Sequence, residues 1–408
     1  MTLGQTFILR NATWLSAGVL LTFMSSFGQT FFISIFAGEI RAAFGLSHGA
    51  WGSIYSLGTT VSAIVMIWAG ALTDVFRVRV LGPVVLSALA LACLSMATAN
   101  AVWLLPLVIF ALRFTGQGMA SHLAVVAMAR WFVATRGKAL SIATLGFAAG
   151  EAILPLTFVA LMAMFDWRIL WVAAAGIALM GVPVLAALLR QERTPKEISA
   201  ETSVPGMEAK HWTRGMTLRH PLFWFLVPAL LGPAAFNTAF FFHQVHLAEI
   251  KGWQHIELVA YFPLYTVMSI VAMVASGWAL DTWGTGRLMP FYQVPMVISF
   301  LAFSWATEPT LAWIGFLFLA MTTGFNTTLP NAFWAEFYGT NHIGAIKAMA
   351  AAVMVFGSAI GPGVTGILID LGVGLEVQFI GIAAYFVLTT ILMWLGIGRY
   401  RNGLRTYR

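Results

Sequence analysis

Apolar residues run through this chain in stretches of about twenty positions or more, and polar residues arrive in short bursts between them. The runs fall near 14–37, 48–72, 80–99, 102–129, 139–164 and 167–190, and again near 221–247, 256–281, 288–306, 310–337, 343–369 and 374–397. A helix needs about 20 mainly apolar residues to cross the hydrocarbon layer of a bilayer, so the pattern predicts twelve transmembrane helices. One long polar stretch interrupts the series: RQERTPKEISAETSVPGMEAKHWTRGMTLRH, beginning at Arg190. Two prolines and mixed charges mark it as a linker, 191–220, between a six-helix bundle at 1–190 and a second at 221–408. The first run exceeds the apolar core of a secretory leader and no small-residue cleavage site closes it, so it reads as a retained span.

Composition strengthens that picture. Of the 408 residues, 60% are hydrophobic and 9% charged, where a soluble domain carries about 25% charged residues. The fold class is therefore an all-α membrane protein. Its partners include membrane lipid, and Trp and Phe suit the ends of spans. A single cysteine, Cys93, rules out an internal disulfide.

Charge then sets an orientation. With both termini on the cytoplasmic side, 18 of the 22 Lys and Arg fall in inner loops, helix ends and tails. This is the distribution that the positive-inside rule describes, and a multi-pass protein of a bacterial-type inner membrane is expected. It also accounts for the net charge of +7 without a nucleic-acid partner. The basic tail YRNGLRTYR is expected to attract anionic lipid weakly.

The two halves repeat each other. Gly70 and Asp74 in WAGALTD match Gly277 and Asp281 in ASGWALD, and Gly137 and Pro155 match Gly344 and Pro362, at one common offset of 207. Duplicated six-helix halves place a solute site between them near the midplane, opened alternately to each side.

Twelve spans in six-plus-six form, with GALTDVFRVR after the second, resemble the major facilitator superfamily. Gly70, Asp74, Arg77 and Arg79 fit its inner-loop motif, with Val75 and Arg77 standing where a basic residue and a glycine are usual. The second copy keeps Gly277, Asp281, Gly284 and Arg287 at looser spacing. The resemblance implies a conformational latch at Gly70, Asp74, Arg77, Arg79 and Asp281 that stabilises the outward-open state; the alternative is that these charges only satisfy topology. ALRFTGQG in the fourth span is similar to the family's RxxxGxG-like element, with Arg113 as the intramembrane arginine. The antiporter-type element of the fifth span is half present. Gly137, Gly146 and Gly150 sit at its intervals, but Glu151 takes the proline position and its last glycines are missing.

Glu151 and Arg113 both lie near the midplane, where either charge alone costs about 3 kcal/mol. Mutual neutralisation, direct or through a polar partner, is the cheapest arrangement. Three roles stay open. Glu151 is a proton-coupling carboxylate modulated by Arg113; or Arg113 binds an anionic solute; or the two form a structural clamp.

Polar residues at helical spacing mark faces turned away from lipid. Thr22, Ser26 and Gln29 form one stripe in the first span, and Arg113, Gln117 and Ser121 another in the fourth. The seventh holds Asn237 and Gln244 with His243 and His246 near its end, and the tenth holds Thr323, Asn326, Thr327 and Asn331 around Pro330. Candidate solute contacts are Gln29, Arg113, Gln117, Asn237, His243, Asn326 and Asn331, with interhelical glue as the plain alternative. His243 and His246 lack the third ligand a metal site needs, and no metal or cofactor is expected. There is no nucleophile–base pair or phosphate-cradling loop, so an enzyme is not expected. The expectation is a monomeric secondary transporter that takes up a small organic solute with protons, a carboxylate or a vitamin-like heterocycle; efflux of drugs or metabolites by proton antiport is the rival. The eighth span carries no basic residue between 257 and 280, which weakens exchange of organic anions.

Overall fold

In the computed structural model, which describes residues 3–132, 135–191 and 205–400, every predicted run is helical and no strand occurs among the described residues. The spans are Phe7–Gly28, His48–Ala69, Val78–Thr98, Val102–Trp131, Gly137–Met162, Trp167–Leu188, Pro221–Phe242, His255–Trp283, Thr285–Trp305, Pro309–Tyr338, Ile343–Asp370 and Leu375–Tyr400. They belong to two compact units, Met1–Ser199 and Ala200–Arg408.

Each unit pairs its helices by the same scheme. The first span packs on the fifth, the second on the fourth and the third on the sixth; the seventh packs on the eleventh, the eighth on the tenth and the ninth on the twelfth. Glycines make the first of these pairings possible in both units. A Cβ on Gly146 would stand 2.0 Å from the Val19 carbonyl, and one on Gly150 2.0 Å from Ser26 Oγ. In the second unit Gly357 would meet the Leu231 carbonyl at 2.7 Å and Gly361 the Ala235 carbonyl at 2.2 Å. Lipid tails give apolar helices no hydrophobic reason to associate, so contact at backbone distance supplies the attraction. Gly150 and Gly357 stand at the same 207-residue offset, which carries the repeat from sequence into packing.

The first span differs from its prediction as one run over 14–37. Its α-helix ends at Ser25, a tight turn covers Ser26–Gly28, and Gln29 is extended at φ −87°, ψ 154° before helix resumes at Thr30–Ile33. Apolar length cannot reveal such a break, because Ser25, Ser26 and Gly28 are small enough for either conformation.

Opposite the linker, each unit ties three helix ends with one cation. Arg168 donates to the Ala97 and Ala99 carbonyls at 2.8 and 2.6 Å and lies over the Trp167 ring. Lys251 donates to the Ser304 carbonyl at 2.8 Å and pairs with Glu376.

At the linker end of the second unit, residues 205–213 fold back onto the tenth and seventh spans. Gly206 lies so close to the Tyr338–Gly339 peptide that a Cβ would come within 2.5 Å of it. Met207 and Trp212 are buried, and the Trp212 indole donates to the Met207 carbonyl at 3.0 Å. His220 meets the rings of Trp212 and Tyr400 edge-on. Burial among these rings pulls the His220 imidazole below its ordinary range, against a weaker opposite pull from the Glu208 carboxylate. Glu208 itself is held below the usual carboxylate range by its hydrogen bond from Lys210. The tail beyond residue 400 lies outside the described residues.

Candidate functional site

In the first unit the site begins with the break in the first span. Gly28 nests against the fourth span, where a Cβ on Gly28 would meet the Leu112 carbonyl at 2.2 Å and one on Gly116 would meet Gly28 Cα at 2.7 Å. The fourth span widens to a π-helix over Arg113–Ala120 at this crossing. Such widened turns arise where the regular ladder is interrupted.

The break removes the regular helical donor from the Gly28 carbonyl, and Arg113 supplies one. Its Nη1 donates to Gly28 O at 3.1 Å and to Thr30 Oγ1 at 3.3 Å. Thr30 shares a 2.5 Å hydrogen bond with the Tyr55 hydroxyl, and the guanidinium carbon lies 5.4 Å from the Tyr55 ring centre. Only 2% of Arg113 is exposed. A helix C-terminus carries about half a negative charge, and a cation placed there gains up to ~2 kcal/mol; a desolvated cation–π contact is worth about as much. Together these match the ~3 kcal/mol cost of the charge at midplane. Arg113 is thus held by backbone, hydroxyl and ring, while its Nε is buried without a hydrogen-bond partner.

Glu151 sits half-buried in the middle of the fifth span, one residue after Gly150 presses on Ser26. Gln29 is buried at the break itself, and Gln117 is half-buried within the π-helix.

The second unit is built differently. A cavity of about 120 Å³ opens between the seventh, ninth and tenth spans, lined by Pro233, Ala234, Asn237, Thr238, Met296, Thr322, Thr323 and Asn326. Every polar group there is an amide or a hydroxyl. Asn237 Oδ1 is buried without a hydrogen-bond partner, while Thr323 is bonded to the Tyr265 hydroxyl at 3.0 Å. Prolines shape the walls. Pro233 has no N–H, which removes the helical donor from the Ala229 carbonyl, and Gln293 Nε2 with the Tyr292 hydroxyl takes its place. Pro330 likewise removes the helical donor of the Asn326 carbonyl.

Two candidates stand outside this cavity. His243 is buried and its Nε2 donates to the Pro362 carbonyl at 3.0 Å, tying the seventh span to the eleventh. Asn331 is exposed and donates to Thr327 O of its own helix at 2.8 Å. Thr238, Thr322 and Met296 line the cavity without having been singled out. Met296 is apolar and comes from a span without a polar stripe, so no sequence signal marks it.

At the latch, Gly70 closes the second span and its carbonyl accepts from Thr73 Oγ1 at 2.8 Å. Arg79 donates to the Arg190 carbonyl at 2.9 Å, and Arg77 is exposed. The Asp74 side chain lies outside the described residues. Asp281 is exposed and Gly277 has open space around it. Arg130, at the end of the fourth span, donates to the Thr73 carbonyl. The motif centred on residues 70–79 gave no reason to look at it, although a basic residue at the inner end of the fourth span is a visible signal. In the second unit Thr285 donates instead to Glu336, at the end of the tenth span.

The fold is similar to that of solved structures. A bacterial homolog of the human lysosomal transporter Spinster is 14% identical with a TM-score of 0.70, covering 96% of each chain in its occupied, inward-facing form. The nucleoside transporter NupG is 13% identical with a TM-score of 0.69, over 95% of this chain and 98% of its own. No curated protein sequence matches. The family model of the Major Facilitator Superfamily matches residues 18–362, and the chain belongs to that superfamily.

Proposed function

We propose that this transporter takes up a small neutral organic solute rich in hydrogen-bonding groups, coupled to protons and working by alternating access of its two six-helix halves about the 191–220 linker. The observation that carries the reading is the second-unit cavity, whose lining holds Asn237, Asn326 and threonines, with Asn237 Oδ1 awaiting a donor. A buried acceptor without a partner costs about 1–3 kcal/mol, which an incoming N–H or O–H recovers. A carboxylate solute would need a cation, and no cationic side chain lines this cavity. Of the two solute classes expected, the neutral heterocycle is therefore favoured. A nucleoside is one solute with this chemistry, and NupG, described as a nucleoside transporter, shares the fold; the cavity itself supplies the argument.

Glu151 is proposed as the proton-coupling group, because among the described residues it is the one carboxylate at mid-span. The latch at Gly70, Asp74, Arg77, Arg79 and Asp281 is proposed to work with Arg130 in favouring one state of the cycle. The chain is proposed to act as a monomer in a cell inner membrane with both termini cytoplasmic, supported by the placement of its basic residues.

The test uses cells with and without the protein, supplied with a defined mixture of nucleosides, nucleobases, vitamins, organic acids and drugs. Intracellular levels are read by mass spectrometry, with and without a protonophore. Accumulation of a neutral solute that the protonophore abolishes is expected. Specific depletion would establish export instead, and accumulation of a carboxylate alone would overturn the solute class.

A further inference from the structure

On its membrane-facing side the second unit carries a cleft that shares no lining residue with the Asn237 cavity. It has a volume of about 440 Å³ and is lined by Arg219, Pro221, Trp224, Phe225 and Leu392, between the start of the seventh span and the twelfth. The floor is closed where Phe225 packs over Gly396, whose Cβ would come within 2.7 Å of the Phe225 side chain. The walls are otherwise apolar.

The mouth has a different character. Arg219 is exposed, no acidic residue lines the cleft, and among the described residues Arg219 has no ion-pair or hydrogen-bond partner. It ends a short helix, Arg214–Arg219, that also exposes Met216 and Leu218. Trp224 is 58% exposed, yet its indole is fixed by a 2.8 Å hydrogen bond to the Leu218 carbonyl. An exposed tryptophan one turn inside a span sits at headgroup depth, so the cation and the apolar slot straddle the boundary between headgroups and acyl chains.

We infer that this cleft is a binding site for an anionic phospholipid. An acyl chain lies along Pro221, Trp224, Phe225 and Leu392, and the lipid phosphate with its anionic headgroup is held by the Arg219 guanidinium, whose planar fork matches a phosphate. The site needs both features, because a zwitterionic lipid offers the chain but not the net charge, and a soluble phosphate the charge but not the chain. Attraction of a single basic residue for anionic lipid predicts about a fivefold preference.

The experiment uses the full chain in phosphatidylcholine vesicles doped with photoactivatable phosphatidylglycerol or phosphatidylcholine carrying the reactive group on an acyl chain, with adducts mapped by peptide mass spectrometry. Phosphatidylglycerol is expected to label 221–225 and 388–396 about fivefold more than phosphatidylcholine. Arg219→Gln, at an exposed position, should reduce phosphatidylglycerol labelling to the phosphatidylcholine level. Leu392→Trp, which fills the slot, should remove labelling by both lipids there. Excess glycerol phosphate should compete with neither. Equal labelling by the two lipids in the unsubstituted chain would overturn the inference, as would an unchanged preference in Arg219→Gln. Undiminished labelling in Leu392→Trp would move the site elsewhere, and competition by glycerol phosphate would make it a site for soluble phosphate.

Discussion

The two halves share one packing scheme but handle the middle of the membrane in opposite ways. The first unit breaks its leading helix and neutralises the break with a buried guanidinium, Arg113 on Gly28. The second places Pro228, Pro233 and Pro330 inside its helices and answers the freed backbone with amides and hydroxyls, as Gln293 does at Ala229. A backbone group without its helical partner must find another in a membrane, and a cation and an amide are two solutions to one problem. They differ in what they leave over. In the first unit the Gly28 carbonyl and Thr30 take Arg113 Nη1 and leave its Nε as a buried donor, whereas the amide-lined half leaves an acceptor, Asn237 Oδ1. Hence the division of labour proposed here: charge and coupling in the first unit, recognition of a neutral solute in the second.

The helix ends opposite the linker repeat the lesson. Phe44 and Lys251 stand at the 207-residue offset, as do Ala97 and Ser304. In the first unit the cation comes from Arg168, near the Phe44 ring and bonded to Ala97 O; in the second it comes from Lys251, bonded to Ser304 O and paired with Glu376. Duplication has kept the place of the tie and moved the charge that makes it.

The shared packing is the feature to break first. Gly150→Leu forces side-chain atoms into Ser26, and Gly357→Leu forces them against Leu231. Overpacking typically costs about 1–3 kcal/mol, and more is expected where the neighbour is a helix backbone. Both variants should lose most folded protein in detergent size-exclusion profiles, while Gly277→Leu, with open space around it, should behave as the unsubstituted chain. Equal tolerance of all three would mean that close helix approach is not what holds each unit.

Glu151→Gln sharpens the contrast in coupling. Proton-driven accumulation should be abolished while exchange of labelled for unlabelled solute persists in proteoliposomes. Retained accumulation would remove Glu151 from coupling; loss of both, with normal folding, would give it a binding or structural role.

The ties opposite the linker separate the units by a smaller margin. Arg168→Met loses two hydrogen bonds from a charged donor, each worth about 1.5–3 kcal/mol at most, plus its place over Trp167. Lys251→Met loses one such bond and a pair with an exposed Glu376, worth about 1 kcal/mol or less. Thermal unfolding should therefore show the larger drop for Arg168→Met; the reverse order would contradict the reading of these ties.

The smallest effect is a pH dependence at the linker. Burial lowers the folded-state pKa of His220, so its contribution to stability is present above the free value of about 6.5 and is lost as pH falls below it. Hydrogen exchange in 206–220 should speed up relative to the rest of the second unit on acidification, and His220→Phe should remove that dependence. Uniform exchange across pH would show that protonation does not reach the docked segment.

The spans were legible because bilayer thickness imposes a length on every apolar run. The Asn237 and Asn326 positions were legible because polar residues at helical spacing share a face. The break at Gln29 was not, because it depends on Gly116 and Arg113 arriving from 85 residues away in the chain. For the same reason the carbonyl beside Arg113 was not legible: two charges at one depth draw the eye to each other, and only the fold brings Gly28 O to the guanidinium.

The most direct measurement is equilibrium binding of the accumulated solute to purified Asn237→Ala at fixed pH. Removing a buried acceptor that the solute satisfies costs about 0.5–1.5 kcal/mol, so affinity should fall up to tenfold with thermal stability preserved. Unchanged affinity would contradict the placement of recognition in the second unit.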